Sequence, residues 1–285
     1  MKHYDVVVVG MGVMGCAAAA RLVQAGLKVL CLEQYELGNT FNSSHGQTRL
    51  IRLSYFEDPL YVPLLKEALG DWQDINRVAG EKVLSLNGLL IAGDRQSSPV
   101  LNGVLQSASQ FRLEVEELTV NECGQRAPGM KVPANWTGLL DKQAGFLDLD
   151  KSLRYFIDAV RSGSGQILEN TVMESFREQS DRVEVKTSRG VFTCDKIVLT
   201  AGSWLNRITG EQYPLEVEMN LQYWFKAKKP ENLPGNAPAF AFDTENGFYY
   251  GIPQYGPEGL VKFAKHRSGF ILQEPEQLGN LRISP

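Results

Sequence analysis

Histidine and cysteine are scarce, and the scarcity excludes several chemistries at once. There are three histidines (His3, His45 and His266) and four cysteines (Cys16, Cys31, Cys123 and Cys194) in 285 residues. No two cysteines are spaced Cys-x-x-Cys, so neither a disulfide scaffold nor a cysteine zinc site is expected. Three scattered histidines do not make a histidine-rich metal site, and no metal is expected. No apolar run approaches the roughly 20 residues of a membrane-spanning helix. Val6–Val9 is too short for a signal-peptide core and is cut by Gly10. A cationic surface is also lacking. Lys and Arg number 29 against 33 Asp and Glu, a net charge of −4 with no basic cluster. Nucleic-acid binding needs clustered cations to neutralise phosphates, so it is not expected.

What is present is a globular composition, 43% hydrophobic and 22% charged, in a chain long enough for two domains. Residues 5–9 read as a buried strand, 14–26 as a helix stopped at Gly26, and 28–32 as a second buried strand. This βαβ unit implies a parallel sheet covered by helices. A polar stretch, 36–49, follows. The pattern then predicts a helical segment over 58–79, interrupted near Pro63, a strand over 88–92, and a helix over 98–110 opened by Ser98-Pro99. A further helix is expected over 150–162 with Asp150 as its N-cap. Short strands are expected between 166 and 200, and aromatic-rich strands at 219–227, 238–242, 247–252 and 259–265. The latter read as an antiparallel sheet. The expected fold class is α/β, a Rossmann-like domain with a second α+β domain built on that antiparallel sheet.

Gly10-x-Gly12-x-x-Gly15 has the dinucleotide fingerprint. Gly10 permits the tight turn, Gly12 lets backbone approach a pyrophosphate, and Gly15 lets helix pack on strand. Val13 and Met14, within the motif, belong to the expected cofactor set, and the helix N-terminus offers N–H groups and a positive dipole end to phosphate. The bare motif is weak, since a shuffled chain with this glycine content would hold roughly a quarter of a copy. Its context is stronger: a strand before, a helix after, and Glu33 ending the second strand, placed to accept from an adenosine ribose. A carboxylate there disfavours a 2′-phosphate, which argues against NADP. Lys196–Thr200 then closes in Ala201-Gly202, like the second fingerprint of flavoproteins. The alternative is an ordinary strand and turn.

Beyond these motifs the chain resembles the monomeric sarcosine oxidase family, with N-methyltryptophan oxidase and the peroxisomal sarcosine/pipecolate oxidase as relatives. Three segments carry the resemblance: Ser43-Ser44-His45-Gly46-Gln47-Thr48-Arg49-Leu50-Ile51-Arg52, Tyr249-Tyr250-Gly251-Ile252-Pro253, and Gly259-Leu260-Val261-Lys262 with His266 shortly after. The resemblance implies FAD as cofactor and oxidation of a secondary amino acid at a C–N bond. Oxygen is the second substrate, and the products are hydrogen peroxide and an imine that hydrolyses. It extends the cofactor set to Gln34, Ser44, Thr48, Arg49 and Val172. It implies Arg52 for the substrate carboxylate, Tyr250 and His266 at the substrate amine, His45 and Arg49 along the flavin, and Lys262 toward oxygen. Each has a plainer alternative. Arg52 is a surface ion pair, Lys262 a solvated strand lysine such as Lys265, His266 a structural histidine, and the His45 segment a helix-capping loop.

The FAD-binding domain is expected over 1–83 plus 145–213, and the substrate domain over 84–144 plus 214–285. The family's flavin-attaching cysteine lies in a segment absent here, and none of the four cysteines occupies its position. Covalent flavin is therefore not expected. Two readings stay open: an active oxidase, acting on sarcosine or on N-methyltryptophan, pipecolate or a glycated amine, or an inactive truncated fragment that binds dinucleotide poorly. If complete, the protein is expected to be a monomer. A cytoplasmic location is expected, or a peroxisomal one if a missing terminal segment carried the signal.

Overall fold

The computed structural model describes residues 2–210 and 213–280. The chain divides into two compact units, one of residues 1–47, 149–217 and 271–285, the other of 48–148 and 218–270.

The first unit holds a six-stranded sheet. Its strands run in the order Met173–Glu178, Val183–Thr187, Gly190–Leu199, Lys2–Val9, Val29–Leu32 and Gln166–Leu168. The last four are mutually parallel. Tyr4, Val7, Val9, Leu30, Leu32, Val185 and Cys194 form one core beneath them. Val6–Val9 and Val29–Leu32 are buried at every position, the continuous apolar runs that strands covered on both faces require. The helix Val13–Gln24 follows the first strand and buries Gly15, Cys16, Ala19, Ala20 and Val23, one narrow stripe at helical spacing. Those small residues let the helix lie close to the sheet. It ends at Gly26, whose φ of +85° is the left-handed stop expected there.

The second unit is built on a seven-stranded sheet in the order Gln222–Lys226, Leu260–Lys265, Gly247–Tyr255, Ala239–Thr244, Leu89–Asp94, Trp136–Asp141 and Val115–Leu118. All its pairs are antiparallel except one: Ala239–Thr244 runs parallel to Leu89–Asp94. The expected antiparallel sheet is thus mixed, because a chain excursion separates these two neighbours. Helix Pro99–Phe111 packs Val100, Leu101 and Val104 on one face of the sheet. It is capped by Ser98, whose Oγ accepts from Leu101 N at 3.0 Å. Leu90, Leu118, Cys123, Leu140, Phe240 and Val261 fill the other face. A small antiparallel sheet joins Thr48–Ile51, Gly145–Asp148 and Leu84–Ser85.

Three local expectations are corrected. Residues 48–83 cluster with the second unit rather than with 1–47, since strand Thr48–Ile51 pairs with Gly145–Asp148 and strand Leu84–Ser85 pairs there too. Pro63 does not interrupt a helix; it sits in the first turn of Val62–Val78, where its missing N–H has no helical partner to lose. Asp150 lies inside the first turn of Leu149–Ser162 rather than capping it.

Candidate functional site

The glycine turn of the first unit is tight in a way that only glycine satisfies. Gly10 has φ +92°, and a Cβ on it would fall 2.5 Å from Thr200 O. A Cβ on Gly15 would fall 1.8 Å from Gly10 O and 2.7 Å from Thr200 Oγ1. The Thr200 hydroxyl donates to Val9 O at 3.0 Å and Gly10 O at 2.9 Å, so the second flavoprotein-like segment is stitched onto the first fingerprint. Val13 N donates to Ser44 Oγ at 2.9 Å. Glu33 is buried, and its two carboxylate oxygens accept from Met11 N at 2.9 Å and Tyr35 N at 3.0 Å. Each oxygen keeps a further lone pair.

Beside this turn lies a cavity of about 220 Å³. Gly10, Gly12, Val13 and Met14 form one wall, with Glu33, Gln34 and Ser44 beside them and Val172, Ala201 and Gly202 across. Ten of the sequence-predicted cofactor residues therefore line it, and Gly15 packs behind. Tyr35 and Trp204, which the sequence reading missed, also border it and meet edge-on at 5.9 Å. A helix N-terminus, glycines where a Cβ has no room and a buried carboxylate are the donor set that FAD's pyrophosphate and ribose require. His45 lies in the polar segment of this unit, half-buried, and borders neither cavity described here.

Thr48, Arg49 and Arg52 belong instead to the second unit. There a cavity of about 410 Å³ is lined by Thr48, Arg49, Arg52, Tyr250 and His266 together with Tyr55, Glu57, Trp72 and Phe248. Sheet register gathers them. Ile252 pairs with Lys262 and Tyr250 with Ala264, and His266 N donates to Phe248 O at 2.8 Å. Phe248, Tyr250, Lys262 and His266 thus share one face, while Lys265 pairs with Tyr249 on the other. Loop 53–57 is set by a buried carboxylate. Asp141 accepts from Leu53 N at 3.3 Å, Ser54 N at 3.0 Å and Ser54 Oγ at 2.6 Å.

Lys262 is 1% exposed. Its Nζ donates to Thr48 O at 2.9 Å and lies 5.4 Å from the Trp224 ring centre. Burial first, and then the Arg49 guanidinium, push its ammonium down to about 7. It is not a solvated strand lysine. Burial likewise lowers Arg49, opposed by Tyr250, and raises the Tyr250 phenol, opposed by Arg49.

Arg52 is already engaged. Its Nη2 reaches Glu57 Oε1 at 2.6 Å and Oε2 at 2.7 Å, and the guanidinium lies over Tyr55 and Phe56 at 4.6 and 4.7 Å. The Arg52 side chain is 11% exposed and that of Glu57 32%, so the arginine is sheltered while its partner keeps contact with solvent. Glu57 is a neighbour the sequence reading missed; an acid five residues after Arg52 was its available signal. Two buried polar atoms at this cavity, Arg52 Nε and Thr48 Oγ1, have no protein partner. Both fit a ligand that supplies acceptors.

The FAD dependent oxidoreductase (DAO) family model matches residues 5–276. Monomeric sarcosine oxidase of Arthrobacter sp. (strain TE1826) is 30% identical, over 99% of this chain and 76% of its own. N-methyl-L-tryptophan oxidase of Citrobacter koseri is also 30% identical, over 96% of this chain and 73% of its own. Among solved structures, NikD, an amino acid oxidase essential for nikkomycin biosynthesis, superposes with a TM-score of 0.80 at 22% identity, covering 97% of this chain and 72% of that one. L-proline dehydrogenase from P. horikoshii gives 0.78 at 18%, covering 95% and 71%. These two likenesses speak for the fold. No helix among the described residues is long and apolar enough to cross a membrane. The fingerprint, the cavity beside it and the match over nearly the whole length agree: the chain belongs to the FAD dependent oxidoreductase family, with FAD as its cofactor.

Proposed function

We propose that this protein oxidises a small secondary amino acid of the sarcosine type, passing its electrons through FAD to oxygen. The first unit is the FAD-binding part. The glycine turn and helix Val13–Gln24 serve the pyrophosphate and Glu33 serves the ribose. The second unit receives the amino acid. When bound, FAD supplies the two-electron acceptor for the C–N bond and the route to hydrogen peroxide.

The residues of the second cavity do the rest, together with the buried Lys262, which does not line it but donates to Thr48 O. Arg52 binds the substrate carboxylate, for which its planar fork is suited. His266 takes the ammonium proton, leaving a lone pair on nitrogen. Burial and Arg52 hold this imidazole below its usual range, with Glu57 opposing, so it is neutral and able to accept at neutral pH. Tyr250 borders the amine. Arg49 would supply a cation able to counter negative charge on the cofactor. Lys262 stabilises the anion that oxygen becomes on taking its first electron. The imine product then hydrolyses in water.

One observation carries the reading: a cavity that gathers Arg52, Tyr250 and His266 and leaves Arg52 Nε and Thr48 Oγ1 without protein partners. The apolar wall of Leu65, Ala68, Trp72 and Phe248 favours a second reading, a bulkier N-substituted amino acid such as N-methyltryptophan or pipecolate. The test is the visible spectrum of the purified protein, followed by anaerobic sarcosine. A flavin spectrum that bleaches supports the first reading. Bleaching by the bulkier amino acids alone supports the second. A folded protein that takes up no FAD overturns both.

A further inference from the structure

Glu57 has two claims on it. It holds Arg52 through both carboxylate oxygens at 2.6 and 2.7 Å, and its Oε1 stands 3.8 Å from His266 Nε2. All three side chains line one cavity. Glu57 is therefore one anion between two partners, and its present partner is the cation that the proposed substrate must take over. A substrate carboxylate that docks bidentately on Arg52, side-on through Nε and Nη2 or end-on through both Nη atoms, needs the Nη2 that Glu57 holds.

The geometry points to Glu57 as an exchangeable counter-ion: it neutralises Arg52 in the empty cavity and passes to His266 when a substrate carboxylate takes the guanidinium. Carboxylate binding is thereby coupled to amine deprotonation. The substrate ammonium N–H bond breaks and the proton moves to His266 Nε2. The electron pair stays on the substrate nitrogen, and the new imidazolium finds Glu57 beside it. No oxidant takes part in this step. Glu57 acts through His266, so it is a positioning residue. The inference rests on the amine-oxidase reading of this cavity.

The surroundings favour the exchange. His266 is packed edge-on between Phe56 and Phe248, at 6.1 and 5.7 Å between ring centres. These rings offer no competing charge. The other charged groups acting on it are Arg267 and Glu218, which oppose each other and pair at 3.8 Å. With burial, the largest influence, held constant, Arg52 and Glu57 are the charged pair whose balance shifts His266. When a carboxylate neutralises Arg52, the group that disfavours imidazolium is cancelled and the group that favours it is released. Both changes act in the same direction.

The test reads the ligand-free protein. With three histidines in the chain, the imidazole resonances titrate separately by NMR, and His266→Gln assigns one of them. Arg52→Gln should raise the His266 midpoint by about one pH unit, the usual size for gaining an opposite charge within 4–6 Å. In a Glu57→Gln background the same Arg52→Gln change should raise it by less than half as much, since only the field of Arg52 is then lost. Equal rises in the two backgrounds overturn the inference. Propionate, a carboxylate without an amine, probes the exchange with no change at Arg52. It should raise the His266 midpoint in the unaltered protein more than in Glu57→Gln, and an equal response in both overturns the exchange. Neither measurement uses flavin or turnover. Failure here is therefore distinct from failure of the oxidase reading, which the flavin spectrum and its bleaching decide.

Discussion

Replacing Lys262 by Met separates two consequences of one buried charge. The side chain is 1% exposed, and its ammonium is pushed from 10.5 to about 7. Below pH 7 both folded and unfolded chains carry the proton, and the folded state bears the whole penalty of burying it. Between about 7 and 10.5 the unfolded chain binds a proton that the folded one does not, so stability rises with pH. Above 10.5 the penalty is gone. At 1.36 kcal/mol per unit, the full swing is on the order of 5 kcal/mol. Met fills a similar volume without the charge, but leaves Thr48 O without this donor at a cost of about 1–3 kcal/mol. Lys262→Met should therefore be more stable than the parent by about 2–4 kcal/mol at pH 6, and the advantage should vanish by about pH 9.5. Urea denaturation at the two pH values measures this. Parallel pH dependence in the two proteins would refute the burial argument. The same substitution should slow reoxidation of the bleached enzyme by air. A charge pair at ~4 Å is worth ~4 kcal/mol at an effective dielectric near 20, which is about a thousandfold if fully expressed in the transition state. In the proposed oxygen step the ammonium is the active form, so the parent's reoxidation should itself fall as pH rises through about 7. Reoxidation at the parent rate in the Met variant removes Lys262 from the oxygen step.

Gly15→Ala should purify without FAD and melt at lower temperature, since its Cβ would fall 1.8 Å from Gly10 O; absorbance and calorimetry check the two effects. Arg52→Met should raise KM for a carboxylate substrate far more than it lowers kcat. Truncating one partner of a sequestered charge pair costs about 2–5 kcal/mol, so the rise is ~30-fold or more, read by steady-state kinetics. All four cysteines are buried, and burial pushes the thiols of Cys16 and Cys31 up to about 12. A thiol reagent at pH 8 should leave the native protein unlabelled and react fully after denaturation.

The first unit was legible because its site is local. Gly10, Gly12, Gly15 and Glu33 fall within 24 residues, and each carries a backbone requirement that a sequence can state. The turn needs a positive φ, the helix needs close approach, and the second strand needs a terminal acid. Ala201-Gly202 lies far along the chain but joins by parallel pairing of Lys2–Val9 with Gly190–Leu199, a neighbourhood implied once both strands read as buried. The second cavity was legible only through resemblance. Arg52, Tyr250 and His266 are separated by up to 214 positions, and what unites them is sheet register. The strand Thr48–Ile51 was missed beside the polar stretch because local propensity does not reveal that Gly145–Asp148 will pair with it, and the helix over 58–79 was read early because the turn Pro59–Tyr61 leads into Val62–Val78.

Register also explains why two lysines three residues apart differ in kind. In a strand, alternate side chains face alternate sides. Lys262 pairs with Ile252 on the face of Tyr250, where Thr48 O receives its ammonium. Lys265 pairs with Tyr249 on the opposite face, half-buried, with its ammonium 5.9 Å from that ring. The even positions 262 and 266 therefore belong together and position 265 does not, whatever the local composition. Inserting one residue between Gly259 and Lys262 would exchange the faces: Lys262 would turn away from Thr48 and Val261 would enter the cavity side. Such a slip would keep every original residue of the strand while removing the cation from Thr48 O, so the chemistry beside this cavity is a property of register before it is a property of residue type.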